Sequence, residues 1–538
     1  MKTMKGIILP KRIFLIAALL GWSFDLFFYG KALGISLLLF VLLAAAALFY
    51  LGRSKAIRPQ IQNLWLLLPL LFCAAMVAVR ANPFLIFLNV VATLFLLEYI
   101  VHFFTSGRLE RLGFFEYPLI LTWVAAQSSV QAAPLVPSAV DLPKAGQQTR
   151  RNLLPVARGL LLAVPILLVF TLFLTSADQV FAAYVNSVFS LTIFDRLAEF
   201  AWRGVLIVAV TWVAAGALAY SLLHQSVGRG SRTIQQMTGF LQRGPSLGFT
   251  EAAVILSLVN GLFMMFVWVQ FAYLFGGRTN IWVDGRPGPF TFAEYARRGF
   301  FELVFVAIMT LVLVLGLHWL TTRAGRRQTF LFNGLSSLMS GLVMVMLVSA
   351  FQRLQLYEMA YGYTWLRLLG HTFMIWLGFV FVWFLLTLWR VRTPFHQECP
   401  SPEHLSLRTG IPGHFAFGLF LASIGFLTTL NLINPDRFIA TQNLARLEQT
   451  GDLDGYYLTT LSADAVPVLV PALSTIPESE RPRLCADLYE RQTQLAEGES
   501  WMSFNIGRFQ ARQTLNNSNW QTHCPPVEDL QDIYGLFR

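Results

Sequence analysis

Residues 32–51 read ALGISLLLFVLLAAAALFYL, twenty consecutive positions without a charge, held between Lys31 and Arg53. At about 1.5 Å per residue such a stretch is about 30 Å long as a helix, the thickness of a bilayer's hydrocarbon core. Working outward in windows of about nineteen residues, the chain gives eleven candidate spans, near 13–29, 32–51, 63–80, 84–104, 153–175, 202–223, 250–275, 302–322, 330–352, 366–389 and 413–434. The fold class this predicts is all-α, a polytopic transmembrane helix bundle followed by a small helical extramembrane domain. The domains divide at 1–434 and 435–538.

Composition points the same way. Of 538 residues 56% are hydrophobic, 14% aromatic and only 13% charged, with mean hydropathy +0.58. A soluble domain carries about 25% charged residues, so lipid must be the solvent for most of this chain. A soluble enzyme, a disordered protein and, with 4 Cys, a disulfide scaffold are excluded. The net charge of +11 is divided unevenly: residues 435–538 hold 14 acidic residues and 8 Arg, leaving +17 on the first 434. Those cations fall in short loops, where they set membrane orientation and need no polyanion, so nucleic acid is not an expected partner. With a cytoplasmic N-terminus the inner segments hold 22 Lys and Arg and the outer loops 10, which predicts N-in, C-out and an acidic tail outside the membrane. Lys2, Lys5, Lys11 and Arg12 before the first apolar stretch imitate a secretory signal. No small-residue cleavage site follows, and the stretch reads as a retained span.

Two further segments are apolar but broken. Phe114–Val136 contains Glu116, Pro118, Gln127, Gln131 and Pro134 and lies between basic inner stretches, which predicts an interfacial or re-entrant segment. Asp178–Glu199 reads as an amphipathic helix on the outer surface. Beyond Asn434-Pro435 the tail predicts short helices over 437–449, 453–461, 463–474, 478–496 and 502–516, punctuated by Gly451, Pro467, Pro471, Pro477 and Gly498.

Four stretches carry a likeness: Ser23-Phe24-Asp25-Leu26-Phe27-Phe28, Thr175-Ser176-Ala177-Asp178, Phe292 through Leu303 with its Glu294-Tyr295-Ala296-Arg297-Arg298, and Asn431-Leu432-Ile433-Asn434-Pro435-Asp436-Arg437. They resemble a bacterial multi-pass membrane family catalogued as domain of unknown function 4173, with a related family numbered 4153. The resemblance implies the same architecture and a bacterial inner-membrane location. It brings no activity with it.

Ionisable groups in spans are costly, about 2.5–3.5 kcal/mol at a helix centre, and often mark function. Asp25, Asp178 and Glu302 all fall near the outer ends of spans, and Glu294, Arg298 and Glu302 share one helical face at i, i+4, i+8. Two readings follow. Each group caps a helix or meets headgroups, or the five line a polar vestibule open to the outside. Amides inside spans, Asn89, Asn260, Gln270 and Asn333, read as bridges between helices. Glu98 and His102 read as an inner-edge ion pair or a proton relay. His396, Cys399, Glu403 and His404 fall short of a zinc module for want of a second cysteine. Asp452-Leu453-Asp454-Gly455 starts like a calcium loop, but Tyr456 and Ala463 occupy ligand positions, which predicts an ordinary acidic turn. Phosphate-loop, nucleophile-elbow and zincin motifs are missing, so no metal site and no cofactor are predicted.

The function expected is non-catalytic: a bacterial integral membrane protein that presents its external domain to a partner or an envelope component. The alternative is a transporter or lipid-handling protein using the vestibule. An external tail also predicts a disulfide between Cys485 and Cys524, with two unpaired thiols as the other reading of the same spacing.

Overall fold

Long apolar runs leave the backbone no partner in lipid except itself, so each becomes a helix. The computed structural model describes residues 10–53, 59–105, 107–135, 192–223, 247–275, 282–283, 286–287, 300–323, 325–390, 413–496 and 500–526. Its membrane part comprises α1 (Pro10–Phe28), α2 (Ile35–Gly52), α3 (Leu67–Val79, entered through a 3-10 turn Ile61–Leu66), α4 (Pro83–Phe103), α5 (Glu116–Val130), α6 (Thr192–Leu223), α7 (Phe249–Phe275), α8 (Phe300–Leu320), α9 (Arg326–Tyr361), α10 (Trp365–Arg390) and α11 (Gly413–Ile433). Among the described residues nine helical stretches are long and apolar enough to cross a membrane; α1, which carries Lys11, Arg12 and Asp25, packs with them. The protein is a polytopic helical bundle. The expected span at 153–175 lies outside the described residues.

The crossing helices alternate in direction from α1 to α4 and again from α6 to α11, with α4 and α6 running the same way. Thr105 donates to Ser221 O at 3.1 Å, joining the end of α4 to the end of α6; Leu247 pairs with Thr321, joining the approach to α7 to the end of α8. Asp25 in α1 meets Arg203 near the start of α6, and α11 runs into the tail. One end of the bundle therefore carries the tail, and Pro10 stands at the other. A two-residue antiparallel pair, Trp282–Val283 with Arg286–Pro287, follows α7.

Two segments differ from expectation. Of the expected surface helix at 178–199, residues 178–191 lie outside the described residues, and 192–199 are the first turns of α6, a continuous 32-residue helix that no Gly or Pro interrupts there. Helix α9 has 36 residues where the sequence suggested a span of 330–352. It continues because nothing breaks it before Gly362, which takes the left-handed φ of +77° and ends it. At about 54 Å it is longer than the hydrocarbon is thick. Helix α5, by contrast, has 15 residues, about 22 Å, too short to span. It lies against α6 so closely that a Cβ at Gly216 would fall 1.6 Å from the Ser128 carbonyl oxygen, and the Trp212 indole donates to the Ser129 carbonyl at 2.8 Å.

The tail forms α12 (Pro435–Thr450), α13 (Gly455–Thr459), α14 (Val466–Leu469), α15 (Arg481–Ala496) and α16 (Ile506–Asn517), with 3-10 turns at Ala463–Ala465, Trp501–Ser503 and Trp520–His523. Ile439, Leu458, Leu473, Leu484, Leu488 and Trp520 are among the side chains of its own apolar core, which also takes in Tyr363, Trp365 and Leu368 from the start of α10. Arg491 on α15 pairs with Asp487 at 2.7 Å and donates to the Thr459 and Leu461 carbonyls, closing α13 onto α15.

Candidate functional site at the junction of bundle and tail

The turn between α11 and α12 depends on Asn434, whose left-handed φ of 52° suits Asn, and on Pro435 at the first helical position, where its missing N–H costs nothing. The next residue, Asp436, is fully buried. Its Oδ2 accepts from Asn82 Nδ2 at 2.8 Å and from the Ser462 N–H at 3.1 Å, and its Oδ1 accepts from the Trp365 indole at 2.5 Å. Asn82 meanwhile caps α4, its Oδ1 accepting from the Leu85 N–H at 3.1 Å. One carboxylate thus ties the starts of α4 and α10 to two points in the tail.

A second buried carboxylate lies alongside. Asp464 Oδ2 accepts from the Ala81 N–H at 2.9 Å, and α16 approaches so near that a Cβ at Gly507 would stand 2.0 Å from Asp464 Oδ1. Burial pushes the Asp464 carboxyl up from 3.8 to about 6, against the pull of the Ala81 N–H and the Arg80 cation and with Asp436 adding to the rise. Arg80 is itself half-buried; burial lowers its pKa while Asp464 opposes that fall, and its Nε donates to the Asn431 carbonyl at 2.7 Å. Asn505 Nδ2 donates to the carbonyls of Val77 at 3.0 Å and Arg80 at 2.8 Å while its Oδ1 caps α16 through the Arg508 N–H. Just inside the bundle, Asn89 and Asn431 exchange two amide hydrogen bonds of 2.8 and 2.9 Å. On the other flank Tyr363 and Asn443 exchange a matching pair, and the Tyr457 hydroxyl accepts from the Trp365 N–H at 2.6 Å. With its donors and acceptors matched except for Asn434 Oδ1, which has no partner among the described residues, this arrangement holds two parts of the chain in register.

Of the five vestibule candidates, the structure describes two. Asp25 is buried and bound on both oxygens by Arg203, with Nε to Oδ1 at 3.1 Å and Nη2 to Oδ2 at 2.6 Å, and the guanidinium lies 4.9 Å over the Tyr29 ring. Glu302 is exposed in the first turn of α8. Asp178, Glu294 and Arg298 lie outside the described residues, as do His396, Cys399, Glu403 and His404. His102 turns to the Tyr220 hydroxyl at 2.9 Å, and Asp454 caps α13 through the Tyr457 N–H. Asn260 and Asn333 each donate to a carbonyl of a neighbouring helix, Leu335 and Leu388. Sequence reasoning passed over Asn82, Asp436, Asp464 and Asn505. Asn-Pro at 82–83 and 434–435 is a helix-start signal, and it marked both halves of the clamp.

Cys485 on α15 and Cys524 after the last 3-10 turn are joined as a disulfide, with Cα atoms 5.7 Å apart, and Cys73 is a buried thiol in α3.

No curated protein and no solved structure matches the chain. A family model does, over residues 66–472, about three-quarters of the sequence, from the start of the third membrane crossing through the Asp436 and Asp464 clamp. It is the related family and not the one numbered 4173 that matches. The chain belongs to the family described as Domain of unknown function (DUF4153).

Proposed function

We propose that this is a non-catalytic bacterial inner-membrane protein whose bundle holds the acidic tail rigidly on the extracytoplasmic face, where it meets a protein partner or an envelope component. The observation that carries this reading is the junction: Asp436 and Asp464 accept hydrogen bonds from Asn82, Ala81, Ser462 and Trp365 with almost no exposure to solvent. A tail on a loose tether would need no such fixing, whereas a tail that must be presented at a set height and angle does. Three observations support the orientation. Pro10 and the tail stand at opposite ends of the bundle; Arg53, Arg323, Arg326, Arg327 and Arg390 gather at the end away from the tail; and the tail contains a disulfide, a bond favoured outside the cytoplasm. The end of α4 and the start of α6 lie at opposite ends, which supports a further crossing between them, where the sequence suggests 153–175. Reporter fusions after Arg151 and at Arg538 test the topology: opposite sides are expected, and the same side rejects it. Purification in native lipid followed by mass spectrometry of co-purifying proteins tests the presenting role. Recovery with no partner from wild type, at a yield matched by a chain lacking the tail, argues against it.

A second reading, an outward polar vestibule serving transport or lipid handling, draws on one feature. Arg203 is 36% exposed although its carboxylate partner Asp25 is buried, so an anionic ligand has access to the guanidinium's open edge. Arg203→Lys, which loses the bidentate geometry, would separate ligand binding from simple charge pairing.

A further inference from the structure

Three aromatic side chains of the tail stand together in the open beside the bundle: Trp501 (62% exposed), Phe504 (40%) and Phe509 (43%). Trp501 comes from the 3-10 turn before α16, and the others flank the start of that helix. Their height along the bundle is fixed by backbone pairing. The Ile35 N–H donates to the Phe504 carbonyl at 3.0 Å, and Asn505 between them holds the Val77 and Arg80 carbonyls at the end of α3. Ile35 is the first residue of one membrane-crossing stretch and Val79 the last of another, so the aromatic group stands where two spans leave the hydrocarbon. That level in a membrane protein is the headgroup layer, where Trp with its apolar body and polar edge concentrates and where the apolar face of an interfacial helix seats Phe.

The charges agree. The cleft framed by these rings contains Arg508 and Arg512 and no carboxylate among its described lining, although the tail as a whole carries an excess of acid. The Arg512 guanidinium lies 5.9 Å over the Phe509 ring, and Lys31, from the loop between α1 and α2, reaches Met502 at 3.0 Å. The sign is complementary to lipid phosphate.

We propose that this face is a membrane-seated foot. Trp501, Phe504 and Phe509 enter the headgroup layer of the tail-side leaflet, and Arg512 and Lys31 meet the phosphates of anionic phospholipids there. The tail then contacts the bilayer through its own surface as well as through the junction, whichever side of the membrane it occupies. The test uses the full chain with Cys73→Ala and Cys399→Ser, in nanodiscs of phosphatidylethanolamine and phosphatidylglycerol. Single cysteines replacing Trp501, Phe509 and, as a control, the exposed Tyr456 on α13 are spin-labelled, and collision with oxygen is compared with collision with a water-soluble nickel chelate. Labels at 501 and 509 should be roughly fivefold less accessible to nickel than the label at 456 and richer in oxygen contact, as interfacial residues are. Nickel accessibility equal at all three positions overturns the proposal, and so does shielding that appears only when a soluble protein is added. In the unlabelled chain, phosphatidylglycerol should raise the thermal midpoint over phosphatidylcholine, and Arg512→Glu should remove that gain. Phosphatidylcholine has the same phosphate but a compensating cation, so equal midpoints for wild type in both lipids reject the contacts with anionic headgroups.

Discussion

The junction and the α7–α10 half of the bundle treat buried polar groups in opposite ways. At the junction charged acceptors are surrounded by donors: Asp436 serves three groups and Asn82 serves both Asp436 and its own helix. Among α7–α10 a paired carboxylate, Glu358 with His371, stands near the tail-side end of α9, while the amides farther inside have one contact or none among the described residues. Asn260 and Asn333 each donate one bond and leave a buried amide oxygen without a partner among the described residues; neither polar atom of Gln270 finds one there. The interior of that half is held by side chains such as Phe332, Met339, Val343, Leu377 and Phe381. A neutral amide with one oxygen unpaired costs far less than a buried carboxylate without donors, and the junction gives the fully buried Asp436 three of them.

The two regions should respond differently to mutation. Asp436→Ala would strand the Asn82 amide, the Ser462 N–H and the Trp365 indole, and should cost about 3–5 kcal/mol at the junction. It is read as a large gain in proteolytic cleavage around 434–436 in nanodiscs, against wild-type resistance. Loss of the Cys485–Cys524 bond, by Cys524→Ser, opens a loop of 39 residues. It should lower the tail's unfolding free energy by roughly 4 kcal/mol while the junction persists. Thermal melting of the tail with and without reductant checks this, and no difference would remove the disulfide from the account.

The next effect is a pH dependence. Because the Asp464 carboxyl is raised in the folded chain from 3.8 to about 6, folding favours its protonated form. Its contribution to stability is full below about pH 4 and is lost as pH rises through about 6, at most about 3 kcal/mol in total. Asp464→Asn should therefore melt with a flatter pH dependence than wild type between pH 4 and 7. A parallel dependence would mean that another group titrates. The smallest effect belongs to the other region: Asn333→Leu should change stability by about 1 kcal/mol or less. A loss as large as that of Asp436→Ala would erase the distinction between the two regions.

Periodicity and length made the bundle legible, because a run such as 32–51 has one solution in lipid. The end of α9 was less so. Gln352, Arg353 and Glu358 look like a loop when only hydropathy is weighed, but Glu358 is buried against His371 at 3.1 Å on α10, so the helix runs on past the apolar segment. The site was legible least. Asp25 drew notice as a charge in a span, yet its partner Arg203 is 178 positions away, and no local pattern links them. Asp436 and Asp464 looked like surface charge in an acidic tail because acidity is ordinary there. Only the three-dimensional approach of Asn82 and Ala81 distinguishes them from Asp452, which is exposed.

The clamp joins segments made at very different times. Ala81 and Asp464 are 383 positions apart, Asn82 and Asp436 354, and Arg80 and Asn505 425. At about 5–20 residues per second the ribosome needs roughly 20–70 s between Asn82 and Asp436. Through that interval the α3–α4 hairpin waits with Arg80 unburied and the cap of α4 half used. The segment that locks these loops is thus made hundreds of residues after them. Until residue 436 is made, the Ala81 N–H and the Asn82 amide have only water to bond, and the two carboxylates that replace it arrive together with the segment that buries them.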